Sequence, residues 1–260
     1  MSLRFALPLL LLSAPAAAGV SYLMSTRGAA STSAYFVEGE RVRINASDGK
    51  TVYIFRDQSI TVIDTAARSG QLLRRATLEE SERQLDESLQ RMQTLAASAP
   101  PEQKAMADQG VATILHIREN NRRAIPRDYR RTDRTEASDG RPCRVWEEWE
   151  GGAKRLELCV VPASALPGGA QAWAGFKAMS AYLHGAVFAL GIEVGPHSLW
   201  PGIEQLGGVP VLIREFKDGR VLGESQLTGF RAEAIPESQF EAPAGYAIHE
   251  GPGQRPGAPQ

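Results

Sequence analysis

Residues 35–64 read YFVEGERVRINASDGKTVYIFRDQSITVID. Three tight turns punctuate this stretch, at Glu38-Gly39, Asp48-Gly49 and Asp57-Gln58, and short alternating segments lie between them. X-Gly pairs between alternating apolar runs are strong hairpin signals. A two-residue turn at Asp48-Gly49 pairs Ile44 with Tyr53 and Val42 with Phe55. A turn at Asp57-Gln58 pairs Phe55 with Ile60 and Tyr53 with Val62, and one at Glu38-Gly39 pairs Tyr35 with Val42. Tyr35, Val42, Phe55 and Ile60 then form one cross-strand row, and Ile44, Tyr53 and Val62 form the next on the same face. A slip of one residue would turn every side chain over, so agreement between the turns fixes an apolar face on an antiparallel sheet. The opposite face mixes Arg41, Arg43, Asn45 and Arg56 with Val52, Ile54 and Ile63, a pattern that predicts partial covering.

Upstream, Val20–Thr26 is a further strand. Downstream the period changes to that of helices. Thr77 with Glu80 has the form of a capping box, and Leu78, Leu85, Leu89, Met92 and Leu95 make one buried stripe. Pro100-Pro101 ends that helix and can begin another carrying Met106, Val111, Ile114 and Leu115, which gives a helical hairpin over 77–118. A third helix is expected over Gln171–Leu190, with Trp173, Phe176, Met179, Leu183, Val187 and Leu190 on one stripe. Strands return at Val209–Phe216 and Arg220–Phe230 around an Asp218-Gly219 turn. Ile235, Phe240, Pro243 and Tyr246 close the domain, and the Gly/Pro-rich run from Gly251 to Gln260 reads as a disordered tail. The whole predicts an α+β domain over residues 19–250.

The N-terminus predicts export. Arg4 precedes the apolar run Phe5–Leu12, and Ala16-Ala17-Ala18 provides small residues for cleavage, so residues 1–18 read as a signal peptide. The run is about eight residues, too short for a bilayer that needs roughly twenty. The expected destination is the periplasm, with the extracellular space as the alternative, and a chain that does not span the membrane. An oxidising compartment suits Cys143 and Cys159, which flank a hairpin closed by Glu150-Gly151-Gly152. In that register Cys143 faces Cys159, Glu147 faces Arg155 and Glu148 faces Lys154. A bridge there would stabilise by ~3 kcal/mol on the loop-entropy model.

With 29 basic and 30 acidic side chains, net charge makes no case for nucleic acid. Arginine is concentrated locally at Arg122, Arg123, Arg127, Arg130 and Arg131. That segment is either a patch for acidic lipid head groups or another anionic partner, or a solvated linker, the commoner fate of a charge run. No nucleophile elbow, Walker loop or dinucleotide fingerprint is present. His116, His184, His197 and His249 are scattered, without helical metal-ligand spacing, so neither a metal nor a cofactor is expected. Asn45-Ala46-Ser47 is a formal glycosylation sequon.

Four segments carry a resemblance: Val37–Ile44, Gly140–Trp146, Gly207–Ile213, and Ile235–Tyr246 with its closing F-x-x-P-x-G-Y. Their order resembles a family of exported bacterial proteins of unknown function with a lipoprotein-carrier-like (LolA/LolB-like) fold. The resemblance implies a curved antiparallel sheet, an incomplete β-barrel, with helices plugging its open side. In the carriers the space between sheet and helices holds acyl chains. On this reading Tyr35, Val42, Ile44, Tyr53, Phe55, Ile60 and Val62 line the concavity, and Trp173, Phe176, Met179 and Leu183 form part of its lid. The expected function is non-enzymatic binding of an apolar or acylated ligand, lipid or lipoprotein-like. An envelope protein-interaction module is the alternative, and an uncharacterised enzyme is a more distant third.

Overall fold

The chain runs through two successive strand meanders that meet side by side in one sheet. The computed structural model describes residues 19–28, 32–122, 127–190 and 203–251. The expected signal peptide, Arg123 and tail residues 252–260 lie outside the described residues. The first meander comprises β1 (Gly19–Thr26), β2 (Thr32–Glu38), β3 (Arg41–Asn45), β4 (Thr51–Arg56), β5 (Ser59–Asp64) and β6 (Ser69–Arg74). Helices α1 (Arg75–Ala97) and α2 (Pro101–Arg122) follow. The second comprises β7 (Arg127–Ser138), β8 (Arg141–Glu150), β9 (Ala153–Pro162), β10 (Gly208–Lys217) and β11 (Arg220–Glu233), with α3 (Gly169–Leu190) between β9 and β10. A short β12 (Ala247–Glu250) ends the described chain.

These twelve strands form one open sheet in the order β12-β6-β5-β4-β3-β2-β1-β11-β10-β9-β8-β7. Neighbours are antiparallel, except that β12 runs parallel to β6. The expected α+β class with an open, curved sheet and a helical hairpin is therefore found, with one parallel pair added. Among the described residues no helix is long and apolar enough to cross a membrane.

The hairpin registers were legible to within one turn. Ile44 faces Tyr53 and Val42 faces Phe55. Phe55 faces Ile60 and Tyr53 faces Val62. The first turn is centred on Gly39-Glu40, not Glu38-Gly39, so Tyr35 faces Ile44 and Val37 faces Val42. The displacement is two residues, one full strand period, so Tyr35 keeps its face and only changes row. The inner row becomes Val37, Val42, Phe55, Ile60 and Leu73, and the outer row Tyr35, Ile44, Tyr53, Val62 and Gln71.

α3 packs onto the inner row. Val20, Val37, Val42, Phe55, Ile60, Phe176, Met179 and Tyr182 share one buried cluster. Each large apolar side chain so buried contributes ~1.5–3 kcal/mol. A second cluster, Leu156, Leu158, Val160, Ile203, Leu206 and Ile213, lies against Trp146 and Trp173. The mixed face of β3–β5 is covered, as its composition implied, by the segment leading to β12: Val52, Ile54 and Ile63 are buried with Ile235 and Phe240. The arginines of that face hold the cover down. Arg41 lies 4.8 Å over the Phe240 ring, Arg43 donates to the Gln239 carbonyl and Arg56 to that of Phe240.

Three local expectations are corrected. α1 begins at Arg75 without a side-chain cap. Thr77 is already inside the helix and donates to Glu250 on β12, so the capping box does not form. The cysteine hairpin turns at Gly151-Gly152, and a bulge beside Trp149 shifts its register. Val145 thus faces Cys159, and Glu147 faces Glu157 rather than Arg155. The Cys143–Cys159 disulfide still forms, because the two cysteines lie diagonally across the strand pair with a Cα separation of 5.3 Å. Finally, the arginine run is not a linker from residue 127 on. It is β7, the strand at one edge of the sheet.

Candidate functional site

The candidate lining residues come together in two different states. Val42, Phe55, Ile60, Phe176 and Met179 are fully buried against one another. They form core, because α3 lies directly in the concavity. Tyr35, Ile44, Val62 and Leu183 are half-buried at its margin. Tyr53 is 38% exposed, at the centre of the outer row. Trp173 turns away from this group and packs on the second cluster with Met24 and Trp146. The side chains of Val187 and Leu190 lie outside the described residues.

The close seat of α3 has a sequence cause. A Cβ at Gly175 would stand 2.5 Å from Val37 Cγ1 and 3.1 Å from the Gly39 carbonyl oxygen. Only glycine lets the helix backbone approach β2 and β3 this closely. Aromatic side chains fill the space on either side. Tyr22 stacks on Tyr35, with ring centroids 4.7 Å apart, and on Phe230 at 5.4 Å. Phe176 meets Tyr22 edge-on. Tyr182 leans on Phe55 at 5.5 Å, and its hydroxyl donates to the Leu73 carbonyl at 2.6 Å, which secures α3 to β6.

Sequence reasoning missed Tyr22 and Tyr182. Both had a signal: Tyr22 is centred in the β1 alternation, and Tyr182 stands three residues beyond Met179 on the same stripe.

The site's titratable groups are phenols, and they stay neutral. Burial pushes Tyr35 up to about 12. Burial also raises Tyr22, with the neighbouring Tyr35 adding to it. Tyr53 is raised by burial and then by the charge of Asp48. The outer row is therefore an uncharged strip of aromatic and aliphatic surface with polar hydroxyls. Such a strip can hold an apolar chain and orient a polar head, and it contains no activated nucleophile or base. Among the described residues no group of three or more His, Cys, Asp or Glu stands together as a metal site.

The arginine candidates divide. Arg130 and Arg131 are exposed on β7, while the side chains of Arg122 and Arg127 are not among those described. Arg130 lies 4.9 Å over the Trp149 ring and pairs with Asp128.

The register correction also reveals a charged row that the sequence reading did not find. Arg130, Glu147, Glu157, Arg214 and Glu224 face one another across five strands. Arg214 bonds Glu157 at 2.7 Å, Glu136 at 2.8 Å and Glu224 at 2.9 Å. Arg134 and Lys154 complete the shell around Glu157. Burial pushes the Glu157 carboxyl up, but hydrogen bonds from Arg134 and Arg214 outweigh it and hold the group below its ordinary range.

No protein-family model matches the chain, and no curated protein matches it. An uncharacterised conserved protein from Thermus thermophilus is similar over 90% of this chain and 91% of its own, with a TM-score of 0.43 and 8% identity. PNGF-II is similar over 89% of this chain and 30% of its own, with a TM-score of 0.39 and 10% identity. MucB is similar over 89% of this chain and 59% of its own, with a TM-score of 0.33 and 14% identity. At these TM-scores neither family nor function passes from any of them to this chain.

Proposed function

We propose that this is an exported, non-enzymatic protein that holds an apolar or acylated ligand, lipid or lipoprotein-like, against the outer row of its half-barrel. The observation that carries the reading is Tyr53. A large aromatic side chain stays 38% exposed on a strip that runs continuously into the core through Ile44, Val62 and Tyr35. Burying an acyl chain on such a strip stabilises by ~0.8 kcal/mol per CH₂. The inner row is occupied by α3, so the ligand lies along the mouth of the concavity and not at its base. The Cys143–Cys159 bridge and the N-terminal sequence support export. The segment-by-segment resemblance to the lipoprotein-carrier-like family supports the same class of ligand.

A titration with a fluorescent fatty acid tests this. Saturable binding that falls at least tenfold in Tyr53→Asp, with the thermal midpoint unchanged, is the expected result. Tyr53 is partly exposed, and the unchanged thermal midpoint verifies that the variant is folded. Wild-type protein that binds no fatty acid would sink the reading.

A second reading has its own observation. The α1–α2 hairpin exposes Leu95, expected on its buried stripe, at 68% and Met106 at 78%, and β7 exposes Arg130 and Arg131. Hairpin and arginines together suit an envelope protein-interaction module. Reversing Arg127, Arg130 and Arg131 would then abolish partner capture while leaving fatty-acid binding intact.

A further inference from the structure

The strand ends from β7 round to β1 gather at one rim of the sheet. Arg127 faces Glu150 across β7 and β8. Glu150 faces Ala153 across the hairpin to β9. Leu156 of β9 faces Glu215 near the end of β10, and Lys217 faces Arg220 at the β10–β11 turn. The Arg27 amide, just beyond β1, donates to the Glu224 carbonyl.

Two aliphatic side chains protrude from this rim. Val221 is 53% exposed and Leu222 64%. Their exposure is built into the backbone: the register steps from Glu215–Gly223 to Phe216–Val221, which leaves Leu222 as a bulge residue with nothing opposite it. An exposed aliphatic pair at a hairpin tip contributes nothing to the core.

Basic residues surround the pair. Arg27, Arg130, Arg155, Lys217 and Arg220 are exposed along the rim; its exposed acids are Asp128 and Asp218, and Glu150, Glu215 and Glu224 are half-buried there. Arg27, Arg130 and Arg155 are ion-paired, with Glu224, Asp128 and Glu150. Lys217 and Arg220, which flank the tip, are in no ion pair among the described residues. The adjacent Lys154 extends over the Phe216 ring at 4.0 Å, with its stem on apolar surface. Beside the tip Lys217 and Arg220 outnumber the single exposed acid, Asp218.

We propose that this rim docks on an anionic lipid bilayer, with Val221 and Leu222 entering the headgroup region and Lys217, Arg220 and their basic neighbours contacting the lipid phosphates. Short apolar protrusions ringed by cations bind such surfaces by adding apolar burial to electrostatic attraction. The attraction acts only within about a Debye length of the surface, which requires the charges to sit beside the inserted residues, as they do here. The occupant is a bilayer and not an acidic protein, because the two aliphatic side chains project singly from a turn and form no pocket for a partner's anchor. The proposal is independent of the ligand reading.

Co-sedimentation of the full chain with vesicles tests it. One set is phosphatidylcholine alone and the other contains a third phosphatidylglycerol. Residues 1–18 are common to every variant, so differences between variants report on the rim. The wild-type chain is expected to bind the anionic vesicles and to lose that binding in high salt. Val221→Asp with Leu222→Asp, and separately Lys217→Glu with Arg220→Glu, are expected to weaken it on the order of tenfold or more. All four side chains are exposed, and an unchanged thermal midpoint verifies that each variant is folded. Equal binding to both vesicle types overturns the proposal. So does wild-type affinity in both double variants, or a wild-type chain that captures acidic proteins while ignoring anionic vesicles.

Discussion

Gly175 of α3 lies against Val37 of β2 so closely that a single added methyl would stand 2.5 Å from Val37 Cγ1. This contact sets the depth of the helix in the concavity. Two effects oppose each other in Gly175→Ala. Helix propensity favours alanine by ~1 kcal/mol, while overpacking costs ~1–3 kcal/mol. The Gly39 carbonyl oxygen and Val42 Cγ2, 3.1 and 3.2 Å from the same methyl, leave it no easy retreat. Gly175→Ala is therefore expected to destabilise by about 1 kcal/mol in denaturant titration. Adding Val37→Ala removes the obstructing methyl, so the pair should show a favourable coupling. Strict additivity would contradict this account of α3 seating.

The disulfide joins β8 to β9 across a sequence separation of 16, and both cysteines are buried. Loop entropy in the unfolded chain makes such a bridge worth ~3 kcal/mol. The Cys143→Ser, Cys159→Ser double variant should unfold at a clearly lower denaturant midpoint. Reductant should shift the wild-type midpoint the same way and leave the variant where it is.

Glu157 gives the fold an acid-sensitive element. The residue is 5% exposed, and its carboxyl is held below the ordinary range despite burial. A depressed folded-state pKa means that its contribution is fully present above the unfolded glutamate value, about 4.3. The contribution is lost as pH falls through the lower, folded-state value. Glu157→Gln should thus destabilise at neutral pH, where Arg134 and Arg214 lose a charged acceptor. The gap between wild type and variant should close in acid. Equal gaps at neutral and acid pH would show that the ladder does not act through this charge.

Much of the first meander was legible because its turns are short and their X-Gly and Asp-Gln pairs fix register. Asp57 and Gln58 both adopt positive φ, as the two-residue turn requires. Even the displaced Gly39-Glu40 turn preserved the buried face, since strands repeat every second residue. The second meander was less legible. β7 carries Tyr129 as its one buried large apolar residue within a charged run, so its alternation is hidden. It also lies at the sheet edge, where burial on both faces is not demanded. The bulge at Glu148 and Trp149 leaves no mark in composition, and it moved every cross-strand partner beyond it. That shift concealed the Arg130–Glu147–Glu157–Arg214–Glu224 row. In the site, residue type identified the apolar strip, but the strip's division into filled core and exposed rim depends on Gly175, whose role appears only when α3 is placed on the sheet.

The most direct test of the proposed function is native mass spectrometry of the protein purified from its own cell envelope, followed by lipid extraction. The account predicts an acylated mass that co-purifies with the wild-type chain and is absent from folded Tyr53→Asp. A clean ligand-free mass for the wild type, or the same acylated mass retained by the variant, would contradict it.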